Sequence, residues 1–182
     1  MNGICLLILV EIVIFSTYNV YVLYHWGIPR NISATYYNLE RTHKHYGLFL
    51  PLNFFICCSI VIPIWINSCN MVAPQGQCFT WCAYLTCFCM VAVGITCRYK
   101  RSRMLAIYHY AAAITGAACT ILWIIVVCYR ILFVGLSILL IALLAGFLTH
   151  TLKKSYLYWL ELPAFYALFF VLFIINLMNT CL

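Results

Sequence analysis

The sequence has no aspartate, and its only acids are Glu11, Glu40 and Glu161. Nothing in it matches a dinucleotide fingerprint, a phosphate loop, a calcium loop or a G-x-S-x-G elbow, so those chemistries have no local signature. Polar surface is equally scarce. Charged residues make up 7% of the chain against 67% apolar ones, and the mean hydropathy is +1.05. No water-soluble fold could cover such a core.

Other absences narrow the class further. The apolar stretches do not alternate with polar residues in ten-residue blocks, which excludes a transmembrane barrel. The first stretch has no basic flank and no A-x-A cleavage site, and it carries Glu11. It is therefore expected to be a retained helix and not a signal peptide. Twelve cysteines include no C-x-x-C pair, so neither a thioredoxin-like motif nor a zinc ribbon is supported. Cys57, Cys58, Cys87, Cys89 and Cys119 fall inside apolar runs, where a thiol acts as a small hydrophobe. Cys69 and Cys78 flank a loop and could bridge on an oxidising side.

What the chain does have is six apolar runs, at about 3–24, 46–66, 77–97, 104–127, 131–152 and 156–178. Runs of ~20 residues cross a hydrocarbon layer about 30 Å thick, and helices satisfy their own backbone there. The expected fold class is all-α: a polytopic transmembrane bundle of about six helices forming one integral membrane domain over 1–182, with a short cytoplasmic interfacial helix after the first span. Nine of the ten Lys and Arg residues follow the first, third and fifth runs, and Arg130 alone follows the fourth. The positive-inside rule then places both termini outside the cytoplasm. The net charge of +7 is expected to engage anionic headgroups, not nucleic acid. Small residues in the fourth run (AAAITGAAC, 111–119) and in the fifth (Gly135, Ala142, Ala145, Gly146) predict close contact between those two helices, or a homo-oligomer interface.

The one long polar stretch is GIPRNISATYYNLERTHKHYG, residues 27–47. Pro29 ends the first helix, and Asn31 or Ser33 can cap the next. Ile32, Tyr36, Leu39 and His43 share one helical face, with Thr35, Asn38, Arg41, Thr42 and His45 on the other. At headgroup depth, Arg41, Lys44 and His45 could reach lipid phosphate.

All five histidines, His25, His43, His45, His109 and His150, map to the basic side of this topology. At about 1.5 Å per residue, His109 lies roughly 9 Å below Arg103 and Glu161 roughly 10 Å below Lys154. Matching depth makes His109 and Glu161 natural partners, since an unpaired carboxylate in hydrocarbon is costly. Ser33, Tyr36 and Tyr37 join them as candidate pocket residues. Imidazoles plus a carboxylate can hold zinc with a water in the open position, which makes His109, His150 and Glu161 the candidate ligands of any metal. Against this, His43 and His45 point about 200° apart on a helix, and no H-x-x-x-H pair occurs. Glu11 sits near the bilayer middle, with a hydrogen bond to a Ser, Thr or Tyr of another span expected, or a place on a proton or cation path.

GIPRNISATYYNLE, with AIYHYAAAITGAACTILW (106–123) and WLELPAFYALF (159–169), resembles a family of small multi-pass membrane proteins of gut anaerobic bacteria and their phages. The matching positions are Gly27, Ile28, Pro29, Ile32, Ser33, Thr35, Tyr36, Tyr37, His109, Tyr110, Trp159 and Glu161. Asn31 stands where that family has serine, and Ala34 where an acid is common. The resemblance implies a bacterial inner-membrane location and one recurring feature at the inner face, and it brings no activity with it. The functional expectation is a non-enzymatic membrane protein whose inner-face polar pocket binds a lipid headgroup, ion or partner, or that conducts as an oligomer. The alternative is a membrane-embedded metal-dependent hydrolase of lipid-like substrates.

Overall fold

The computed structural model describes residues 3–43, 45–72, 75–128 and 132–178. Its helices are α1 (Gly3–Trp26), α2 (Thr35–Thr42), α3 (Phe49–Met71), α4 (Gln75–Cys78), α5 (Thr80–Ile95), α6 (Arg103–Cys128), α7 (Leu132–Leu148) and α8 (Leu152–Met178). Single 3-10 turns occupy Ile32–Ala34, Tyr46–Leu48 and Tyr99–Arg101. No strand occurs among the described residues, and the expected bundle of about six apolar helices with a short extra helix after the first is what forms.

Four of the apolar helices are long enough to cross a membrane: α1, α3 with its leading turn, α6 and α8. The protein is an integral membrane protein with several spans. α5 and α7 are shorter than expected, with 16 and 17 residues, or about 24 and 26 Å of helix. α5 is held by two neighbours, α6 and α3, and α7 mainly by α8. Lys44 and Arg130, both used in the charge count, lie outside the described residues.

α1, α3 and α8 meet around a buried aromatic cluster. Phe15 lies 5.0 Å from Phe165 and 5.8 Å from Phe169, centroid to centroid. Farther along α3, Trp65 packs edge-on against Trp123 of α6 at 5.3 Å. Removing such large faces from lipid leaves dense van der Waals packing as the main cohesive force.

The small residues work differently from the expectation. Gly116 of α6 meets α5, where an added Cβ would stand 3.0 Å from Cys89. On α7, Gly146 admits the Trp159 ring of α8 so closely that a Cβ would lie 2.8 Å away. The α6–α7 contact is minor by comparison. Small residues on consecutive helices thus served two different partners, because each pair of antiparallel neighbours needed its own close approach.

The connections after α1, α5 and α7 gather at one end of the bundle. Gly27 (φ +69°) turns the chain out of α1, a left-handed conformation that suits a residue without Cβ. At the α7–α8 corner, His150 takes φ 54°. α8 then breaks at Ser155 (φ −131°, ψ 30°), and Tyr158 N–H donates to Arg30 C=O at 3.1 Å. That bond joins two of the basic connections. Cys69 and Cys78, at the opposite end, are both free thiols, one buried and one exposed.

Candidate functional site

The polar stretch folds over the basic end as a cap. Asn31, not Ser33, is the capping residue: its Oδ1 accepts from Ala34 N–H at 2.8 Å. Thr35 was expected on the outer face yet is fully buried. Its hydroxyl donates to Ile32 C=O at 2.6 Å and accepts from the Tyr18 hydroxyl. A tight 3-10 entry rotates α2 relative to an ideal helix begun at Asn31, and this turns Thr35 inward. His43 ends α2 and is exposed, so it does not extend the buried Tyr36–Leu39 face.

α2 is fastened to the α5–α6 turn through three side chains. Tyr36 Oη donates to Glu40 Oε1 at 3.1 Å and accepts from Arg98 Nε. Tyr37 Oη accepts from Lys100 N–H at 2.7 Å, while the Lys100 ammonium lies 4.6 Å over its ring. Glu40 Oε1 accepts from Arg101 at 2.9 Å and stands 3.8 Å from Arg98. Burial pushes both Tyr36 and Tyr37 above the usual phenol range, partly offset by the Arg98 and Lys100 donors.

Inside this ring sits Tyr99, 5% exposed. Its ring stacks on His109 at 4.4 Å and 18°, and burial pushes its phenol up to about 12, with the Glu161 carboxylate adding to the rise. His109 is 2% exposed, whereas His25, His43, His45 and His150 are exposed. Thr96 Oγ1 donates to Ala92 C=O at 2.7 Å, so its 3.1 Å contact with His109 assigns the ring proton to Nδ1.

The expected His109–Glu161 hydrogen bond does not form. Glu161 Oε2 instead accepts from Ile32 N–H at 2.7 Å, while His109 contacts Thr96 and stacks on Tyr99. Equal depth did not ensure contact, because depth follows from helical rise and direction follows from packing. Ser33 is buried in the turn beside Ile32. Ser33, Tyr36, Tyr37, His109 and Glu161 therefore belong to one end of the molecule, in a packed cap. Next to the cap is an open cleft of about 400 Å³ between α1, α2 and α3, lined by Tyr18, Tyr21, Leu39, Tyr46, Asn53 and Ile56 among others.

Among the described residues no three of His, Cys, Asp and Glu come together as a metal shell. His109, His150 and Glu161 thus do not form the candidate zinc set, since His150 is spent on an exposed corner. Glu11 also departs from expectation. It is 1% exposed, and its polar neighbours are the Cys57 and Cys58 thiols, with Cys57 the weak donor beside it, not a hydroxyl.

Thr96, Arg98 and Tyr99 were not anticipated. Tyr99 carried a legible signal as the single aromatic of the basic R-Y-K-R turn, where a ring has little reason to stand unless it packs. No known protein family, curated protein or solved structure matches the chain.

Proposed function

We propose that this is a non-enzymatic membrane protein whose cap holds the phosphate of an anionic lipid headgroup at the cytoplasmic face, with both termini on the far side of a bacterial inner membrane. One observation carries the reading. Arg98 and Arg101 share a single carboxylate, Glu40, while their side chains stay 44% and 55% exposed, and Lys100 sits between them in sequence. The cluster keeps a surplus of positive charge facing outward, and guanidinium groups match phosphate oxygens in pairs. Attraction to an anionic leaflet adds to each such contact.

The likeness of the Gly27–Glu40 segment to the small multi-pass family supports treating the cap as one unit.

Native mass spectrometry of the protein released from mixed phosphatidylglycerol and phosphatidylcholine vesicles tests this. The expected result is selective retention of phosphatidylglycerol, lowered about thirtyfold in Arg98→Ala/Arg101→Ala, in line with ~1 kcal/mol for each of the two basic residues near an anionic surface. Equal retention of the two lipids, or no change in the double variant, would overturn it.

A further inference from the structure

Glu11 has no part in the cap, and its surroundings are unusual. The carboxyl lies on the buried face of α1, turned toward α3 and 1% exposed, with the Cys57 thiol beside it and no backbone N–H or hydroxyl bonded to either oxygen among the described residues. Cys57 and Cys58 of α3 are the titratable groups that bear on it; from α8, Tyr166 faces α1 one turn and more away, at Ser16. No cation approaches it among the described residues. An ionised carboxylate in that setting is very costly, so the group is expected to carry a proton.

A route to the group is also visible. Asn53 stands four residues before Cys57 on the buried face of α3, one turn and about 6 Å nearer the basic end. Asn53 and Ile56 line the cleft, as does Tyr18, which stands two turns beyond Glu11 on the same face of α1. The cleft therefore reaches from the basic end to within about one helical turn of the level of Glu11. Asn53 offers an amide and Tyr18 a hydroxyl as relay groups along it.

We infer that Glu11 is a proton-binding site in the membrane interior that exchanges with the basic-end surface through the α1–α3 cleft past Asn53. One carboxylate among thiols suits a proton and not an alkali cation, which requires several oxygen ligands.

Infrared difference spectra of the full chain in liposomes, taken while the buffer is stepped from acidic to alkaline, read this directly. The expected result is a protonated-carboxyl carbonyl band that shifts in heavy water, bleaches on the alkaline step and is missing in Glu11→Gln. That variant is isosteric and neutral, so the fold should tolerate it. Asn53→Leu at the buried wall of the cleft and Ile56→Trp at its exposed lip should keep the band and slow its bleaching about tenfold, equivalent to ~1.4 kcal/mol on the barrier. Asn67→Leu, at the opposite end of α3, should leave the rate unchanged. A spectrum identical in Glu11→Gln, a band that never responds to buffer, or slowing by Asn67→Leu in place of the two cleft variants would each overturn the inference.

Discussion

Two carboxyl groups lie within the apolar helices, and the fold treats them in opposite ways. Glu161 receives a backbone N–H from Ile32 at 2.7 Å and so closes the cap. Glu11 receives no backbone N–H, only the weak thiol donor of Cys57 beside it, although it is the more deeply buried of the two. The difference lies in what each helix meets. α8 opens near the start of the cap, where a 3-10 turn leaves N–H groups to be satisfied. At the level of Glu11, α1 meets only continuous helix, whose N–H groups are already used. A buried acid is thus structural where the backbone is irregular, and left for another purpose where it is regular.

The sharpest way to break this contrast is to remove each carboxyl in turn. Glu161→Ala strands the Ile32 N–H and should destabilise the protein by about 2 kcal/mol, as for a hydrogen bond to a charged group. Glu11→Leu removes an unsatisfied group and should instead stabilise it by about 1 kcal/mol. Thermal unfolding in detergent, followed by exposure of the buried thiols, reads both; shifts of the same sign would abolish the distinction. A smaller effect is expected at the cap surface. Glu40→Ala loosens α2 from Arg98 and Arg101 at a cost of at most ~1 kcal/mol, because the arginines are half exposed. Proteolysis within 35–43 should quicken while global unfolding hardly moves, and an unchanged cleavage rate would show that the tyrosines alone hold α2.

The remaining effect shows only in alkali. Tyr99 releases its proton at about 12 in the folded protein against 10.0 without burial. Between these values the unfolded chain has lost the proton and the folded one retains it, so stability falls as pH rises through that window and is untouched below it. Tyr99→Phe should flatten the fall between pH 10 and 12. An unaltered slope in the variant would move the alkaline sensitivity to other buried phenols.

Hydropathy made the six apolar helices legible, since each run is long and the basic residues punctuate alternate connections. The ends were less so: α5 stops at Ile95 because the chain turns at Thr96–Arg101 to bring Tyr99 under α2, and no local signal marks that fold-back. The cap was legible as a segment, from Pro29, Asn31 and the Tyr36–Leu39 face, but its partners were not. Tyr37 reaches Lys100 and Ile32 reaches Glu161, pairings fixed by helix azimuth, which a single sequence does not encode in any short window. For the same reason His109 and Glu161 were not legible as partners of Thr96 and Ile32, the groups they contact.

The bond from Ile32 to Glu161 spans 129 residues of chain. During synthesis the segment after α1 is delivered early, yet the acceptor that completes it arrives only with the last helix. Until then the Ile32 N–H and the Arg30 carbonyl await partners carried by α8. A chain cut short before α8 would keep most of its apolar helices while leaving its cap unfastened, which gives cellular proteases a defined place to tell an unfinished copy from a finished one.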